Sequence, residues 1–283
     1  MKKINIIFSA ILLIILNACT EKIDIKLDDT YTRLVVDGCI TTDTAFQQVR
    51  LSTTTNYYYN QQPPAVTGAT VVLSDGTNEY VMKETVPGSS GIYQTQNKIA
   101  GETGKTYTLK VNLPEAINKH TDYSASSVLH PVAKLDSTGL EFHEDWGKAG
   151  FWVVKCYATD PGGIKNYYLF NVYRNGKLLS DTINKVVISD DILFDGNFTY
   201  GIGTFYLDNN RPEQQLRPGD TVTLEMSGIT QEYYNFVSEV QQAGFNIPFF
   251  SGPPANVSTN ISPDAVGFFT AYSSSRASVI VKP

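Results

Sequence analysis

The stretch GATVVLSDG, residues 68–76, runs a strand-like segment at 69–74 straight into Asp75-Gly76. An Asp-Gly pair followed by a second extended segment, at 79–83, is what a tight hairpin requires, because glycine takes the left-handed backbone conformation such turns impose. The next glycine-led units repeat the cadence, GIYQT at 91–95 and GKTYTLKV at 104–111. In the last of these Tyr107, Leu109 and Val111 fall on one face of an extended chain, and Thr106, Thr108 and Lys110 on the other. Residues 34–37, 47–53 and 123–128 add further short strands separated by turn residues. This density of strands reads as a β-sandwich of the immunoglobulin or transthyretin type.

The segment His130-Pro131-Val132-Ala133-Lys134-Leu135 interrupts the run, since proline cannot continue a ladder. It marks an N-terminal β-sandwich at 31–130 and a C-terminal β-rich domain at 131–283. Strands resume at 139–143, 151–158, 167–173, 185–189, 198–207, 221–226 and 268–281, with Asn175-Gly176 as another hairpin turn. In TQEYYNFVSEVQQAG, residues 230–244, Thr230 can cap, Glu232 suits the first turn and Gly244 fits the stop. Tyr233, Phe236, Val237 and Val240 recur there at i, i+3, i+4 and i+7, which predicts a helix over 231–243 docked on a sheet. The expected fold class is mainly β: two sandwich-like domains, with one amphipathic helix in the second.

The N-terminus lies outside this pattern. Lys2 and Lys3 precede an apolar run at 4–16, shorter than the ~20 residues that span a bilayer as a helix. A basic start, an apolar middle and small residues before a cleavage point make a secretory signal. Leu16-Asn17-Ala18-Cys19 is similar to the lipobox of bacterial lipoproteins, in which the peptide before the cysteine is removed and the thiol takes a diacylglycerol. An ordinary signal peptide with a chance cysteine is the alternative. Against it, the chain holds 3 cysteines in 283 residues and one of them stands at this position. The expectation is a signal peptide at 1–18, lipidation at Cys19 and an acidic tether at 19–30. Two or more acyl chains anchor stably where one binds marginally, so the protein would be held on a membrane without spanning it.

Loss of residues 1–18, which carry two lysines and no acid, moves the net charge from −6 to −8. An acidic chain without a basic cluster argues against nucleic acid as a partner, because phosphate neutralisation needs Lys and Arg. Apolar residues at 42% against 18% charged ones place the chain among folded rather than disordered proteins. Cys39 and Cys156 lie in strand-like segments of different halves and are expected as buried free thiols, with a disulfide as the lesser alternative.

No G-x-x-x-x-G-K-[ST], G-x-G-x-x-G or H-E-x-x-H occurs, and Gly88-Ser89-Ser90-Gly91 lacks the spacing of a nucleophile elbow. The expectation is a non-enzymatic protein with no catalytic residue and no cofactor. Two acidic clusters compete with it. Glu141, His143 and Asp145 would share a strand face, with Glu144 between them, and a solvated strand end is the simpler account. In SDDILFDGN, residues 189–197, Asp190, Asp191 and Asp195 could serve calcium, but Ile192 to Phe194 stand where an EF-hand places ligands. Calcium there is the lesser alternative. Binding surfaces would come from aromatic residues: Tyr57, Tyr58 and Tyr59 beside a Pro-rich turn, and Phe249 and Phe250 in a loop fixed by Pro248, Pro253, Pro254 and Pro263. For each group the alternative is packing over a sandwich end or core.

The chain also carries an ordered set of short motifs. It runs from Leu34-Val35-Val36-Asp37-Gly38-Cys39-Ile40 and Val49-Arg50-Leu51-Ser52 through Val71-Val72-Leu73-Ser74-Asp75-Gly76 and Gly104-Lys105-Thr106-Tyr107-Thr108-Leu109. Asp190-Asp191 with Phe194-Asp195-Gly196, Gly219-Asp220-Thr221-Val222, Glu232-Tyr233-Tyr234, Pro253-Pro254-Ala255-Asn256 and Gly267-Phe268-Phe269 follow in order. Together they resemble a bacterial lipoprotein family catalogued as domain of unknown function 4249. The resemblance implies an outer-membrane lipoprotein of Gram-negative bacteria, often encoded beside a TonB-dependent transporter, and it brings no activity or catalytic residue with it. Glu21 and Asp24 resemble signals that export lipoproteins to the outer surface, so the leaflet is either periplasmic or surface-exposed. On this basis the expected role is an accessory to TonB-dependent nutrient uptake. Two other classes stay open. A surface hydrolase would need Glu141, Glu144, Asp190, Asp191 or Asp195 to converge in a cleft, and an adhesive or structural module would need a matrix or cell partner.

Overall fold

Strand β1 (Leu34–Thr41) buries Leu34, Val36 and Ile40 and turns Asp37 to solvent, the alternation of a strand with one covered face. The same rule builds β2 (Gln48–Thr53), β3 (Thr70–Ser74), β4 (Glu79–Glu84), β5 (Ile92–Thr95), β6 (Thr106–Ile117) and β7 (His120–Val128). The second half holds β8 (Leu135–His143), β9 (Phe151–Ala158), β10 (Tyr167–Arg174), β11 (Lys177–Leu178), β12 (Val187–Asp190), β13 (Ile202–Asp208) and β14 (Thr221–Ile229). Helix α1 (Gln231–Ala243) and β15 (Val266–Ile280) follow. The computed structural model describes residues 31–55, 62–243 and 257–283, and residues 32–283 form one unit.

Twelve strands join in one sheet, in the order β11-β10-β14-β15-β1-β2-β5-β4-β3-β6-β7 with β12 also on β10; β13-β9-β8 make a second sheet of three. The junction is β15. Its first half runs parallel to β1, from Val35↔Val266 to Thr41↔Tyr272, and its second half antiparallel to β14, from Gly228↔Ser273 to Thr221↔Ile280. Its burial changes with its cover. Phe268, Phe269, Thr270 and Ala271 are buried in succession, whereas exposure alternates toward Ile280, as expected where a strand passes from two covered faces to one.

The sheet of the first half curls around a core that includes Leu34, Val36, Leu51, Leu73, Leu109 and Phe269. Its far strand, β7, meets the segment before β15. Ser124 and Ser262 exchange backbone bonds of 2.8 and 2.9 Å. The side chain of Asn260 then donates to Phe269 O (2.7 Å) and Ser126 O (3.0 Å) and accepts from Phe269 N (3.0 Å). A side-chain amide thus occupies the ladder between β7 and β15, where open backbone groups would otherwise be left. In the second half the three-stranded sheet faces β10 and β14 across a separate core, where Val154, Cys156 and Leu207 meet Phe170, Val172 and Leu224. Leu129 belongs to the first core and Leu135 to the second, within the one unit of residues 32–283. The C-terminal segment serves both halves, because Ile261, Ala265, Phe269 and Ala271 return to the first core.

Helix α1 spans the predicted residues. Thr230 Oγ1 accepts from Tyr233 N (3.2 Å), Val237 is fully buried, and Tyr233 and Phe236 lie 5.2 and 5.1 Å from the Phe268 ring. Its stop residue Gly244 is outside the described residues. The Asn175-Gly176 turn joins Arg174 directly to Lys177, as expected. The Asp75-Gly76 turn is looser than predicted, because Ser74 pairs with Glu79 and four residues form the loop. A further hairpin, at Asn118-Lys119, has φ of 45° and 73° at its two central residues and pairs Ile117 with His120. Asn118 suits the first of these positions, but with Lys119 in place of glycine at the second the usual Asn-Gly signal is incomplete.

Asp75 is what holds the longer loop. It is 7% exposed, and its carboxylate accepts from Thr77 N (2.9 Å), Asn78 N (2.6 Å), Asn78 Nδ2 (3.1 Å) and Lys105 Nζ (3.2 Å). The backbone N–H of Asn78, foremost, holds its carboxyl well below the usual carboxylate range. A depressed native pKa contributes stability above the unfolded value of about 4, and that contribution is lost as pH falls through the folded value. Asp75→Asn is expected to cost about 2 kcal/mol at pH 7. It should also flatten the fall in stability below pH ~4. Urea titrations across pH that show the same acid slope in both proteins would contradict this.

Candidate functional site

Two chain reversals approach each other at one end of the second half. One follows β9, at Thr159-Asp160-Pro161-Gly162-Gly163; the other follows β12, at residues 191–197. They come close because neither carries a Cβ at the crossing. A Cβ on Gly162 would lie 3.0 Å from Gly196 Cα, and Gly196 has φ +69°. The Asp191 carbonyl accepts from Phe194 N (2.7 Å) and Asp195 N (2.8 Å), a tight turn that brings both side chains to the same side.

Each carboxylate is then bonded to another segment. Asp191 Oδ2 accepts from Asn166 N (2.5 Å), and Asp195 Oδ1 from Gly163 N (2.8 Å). Asp160 accepts from the Tyr168 hydroxyl, and more weakly from Gly196 N at 3.4 Å. Burial, then Asp160 itself, pushes the Tyr168 phenol well above its ordinary range, so it remains a donor. Oxygens of Asp160, Asp191 and Asp195 lie within 4.8 Å of one another, with Asp160 and Asp191 at 5% and 4% exposure.

Three carboxylates at this separation repel by about 3 kcal/mol per pair at an effective dielectric of 20. Hydrogen bonds offset part of that, and a cation would reverse it. Oxygens around one calcium ion lie at most about 4.8 Å apart, twice a Ca–O distance of ~2.4 Å. Among the described residues this is the one group of three His, Cys, Asp or Glu with such geometry.

The sequence reading placed two of the three. Asp191 and Asp195 converge, but Asp190 turns aside to Lys165 at 3.6 Å. Asp160 was missed, since its place beside them depends on β9 and β12 meeting in space; its only local mark is the turn-forming Asp-Pro-Gly-Gly run. Glu141 and His143 do share a face, 3.2 Å apart, and Glu141 also pairs with Lys155. Asp145 lies past the end of β8, however, and His143 stacks on Trp146 at 3.9 Å. Glu141 stands opposite Val153 on β9, seven residues before Asp160, which is roughly 20 Å along a strand rising ~3.3 Å per residue. Glu141 therefore stands apart from the cluster of Asp160, Asp191 and Asp195. Cys19, Tyr57, Tyr58, Tyr59, Phe249 and Phe250 lie outside the described residues.

The family model described as a domain of unknown function, DUF4249, matches residues 20–278. The chain belongs to the DUF4249 family. No curated protein matches it. The DUF4249 match takes in both Asp-bearing reversals and all but the last residues of β15. Within this DUF4249 fold Cys39 and Cys156 are free, as expected from the sequence, and burial pushes their thiols up to about 11 and about 12. Neither is a ready nucleophile, because the thiolate is the reactive form.

Proposed function

We propose that this DUF4249 protein is a lipid-anchored outer-membrane lipoprotein that serves a TonB-dependent nutrient transporter as a non-enzymatic accessory. The observation that carries this reading is Leu16-Asn17-Ala18-Cys19, placed after a short apolar run and shortly before the first strand at Leu34. The family likeness supports the transporter part. The test has two steps. Cys19→Ala should move the protein from the membrane to the soluble fraction, and mass spectrometry of the wild-type N-terminal peptide should find acyl chains on Cys19. Affinity purification in mild detergent should then recover an outer-membrane transporter; tagged lipoprotein that repeatedly comes out alone would overturn the accessory role.

A second reading is supported by the convergence of Asp160, Asp191 and Asp195: a calcium ion that ties the 159–166 and 190–197 segments together. Calcium in 100-fold excess over its dissociation constant would add about 2.7 kcal/mol to stability. Thermal melts with and without millimolar calcium should therefore differ by several degrees, and Asp191→Asn should remove the difference. Melts that ignore calcium in the wild type dispose of this reading.

A further inference from the structure

Beneath the two reversals, between the sheets of the second half, lies a cavity of about 150 Å³. Cys156 and Ala158 of β9 form one wall, Phe170 and Met226 of β10 and β14 another, with Val187 of β12 and Phe194 from the Asp-bearing turn. The space exists because β9 presents two small side chains inward, where larger ones would fill the gap. Interiors hold few voids larger than a water molecule, and this one far exceeds the ~15 Å³ a single water needs.

Asp160 and Asp190 also border the cavity, the first bonded by Tyr168 and the second paired with Lys165, and the hydroxyls on its walls are already bonded. Tyr168 donates to Asp160, Thr199 Oγ1 to Cys156 O (2.7 Å), Thr204 Oγ1 to Val154 O (2.9 Å) and Ser189 Oγ to Asp190 O (2.8 Å). A polar guest would find no free donor there, and burying an unmatched polar group is costly. An enclosed apolar cavity of about this volume admits a benzene ring; this one is mostly apolar and partly open to solvent. We propose that this cavity is a binding site for a small uncharged apolar ligand, an aromatic ring or a branched hydrocarbon group of about six carbons. The inference is independent of the anchor; Asp160 of the carboxylate cluster borders the cavity, while the apolar wall takes no part in that cluster.

Benzene is the probe. In the full chain labelled at its methionine methyls, Met226 lines the cavity and Met82 lies in the other core. Titrated benzene should shift the Met226 resonance saturably and leave Met82 in place. Ala158→Leu should abolish the Met226 response while the Met82 resonance keeps its native position; Ala133→Leu fills the space from another wall and serves if the first variant does not fold. A Met226 resonance that is unmoved at the solubility limit of benzene would overturn the site. So would one that moves in step with Met82, or that still responds in a folded filled variant.

Discussion

Gly267→Ala is expected to lower stability by about 4 kcal/mol, combining backbone strain and overpacking. Gly267 has φ +90°, and a Cβ there would lie 2.0 Å from Val36 O. That oxygen cannot retreat easily, because Val36 is opposite Leu51 of β2 on one side and Gly267 on the other. The substitution therefore strikes the parallel pairing that brings the C-terminal strand into the first core. Gly76→Ala is the natural comparison. It shares a φ of +86° but would meet nothing within 4 Å, so it should cost only the backbone part, about 1–2 kcal/mol. Set against a total of roughly 5–15 kcal/mol for a native domain, the two variants should separate clearly in urea denaturation. Equal midpoints would mean that close packing of β15 on β1 contributes little.

What could be read from the sequence, and what could not, follows from how local each feature is. Tyr107, Leu109 and Val111 alternate along the chain, and α1 repeats its apolar stripe over successive turns, so both elements show in a short window. The second role of β15 does not. Val266 to Ile280 reads as one strand, and nothing within it says that Tyr272 is the last residue beside β1 or that Ser273 is the first beside β14. That exchange depends on partners some 230 and 45 positions away, as β1 and β14 show. Asn260 is likewise silent, since an amide that completes a ladder resembles any polar loop residue until the two strands flank it. The candidate cation site divides in the same way. Asp191 and Asp195 lie on one turn and were visible together, while Asp160 required the fold.

Arg276→Met should be the other severe substitution, at about 3–5 kcal/mol, because it leaves a buried carboxylate without its cation. Glu225, 3% exposed, is the cross-strand neighbour of Arg276 between β14 and β15. Arg276 Nε donates to Glu225 Oε2 at 2.5 Å, and the same guanidinium takes Asp43 in a two-point contact at 2.9 and 2.5 Å. Asn171 Nδ2 and the Tyr173 hydroxyl complete the shell of Glu225 at 3.1 and 3.3 Å. Burial, then Glu225, pushes the Tyr173 phenol up to about 12, so that bond persists through the neutral range. The row crosses from the second half to the loop after β1, yet its arms are unequal. Asp43 and Arg276 are near 40% exposed in their side chains, and such a pair is worth about 0.2–1 kcal/mol. Asp43→Ala should therefore cost little, and less still at high salt. Adding Glu225→Gln to Arg276→Met should restore most of the loss, because the neutral amide keeps the shape and removes the stranded charge. A double variant no more stable than Arg276→Met alone would show that the arginine acts through packing of its stem rather than through its charge.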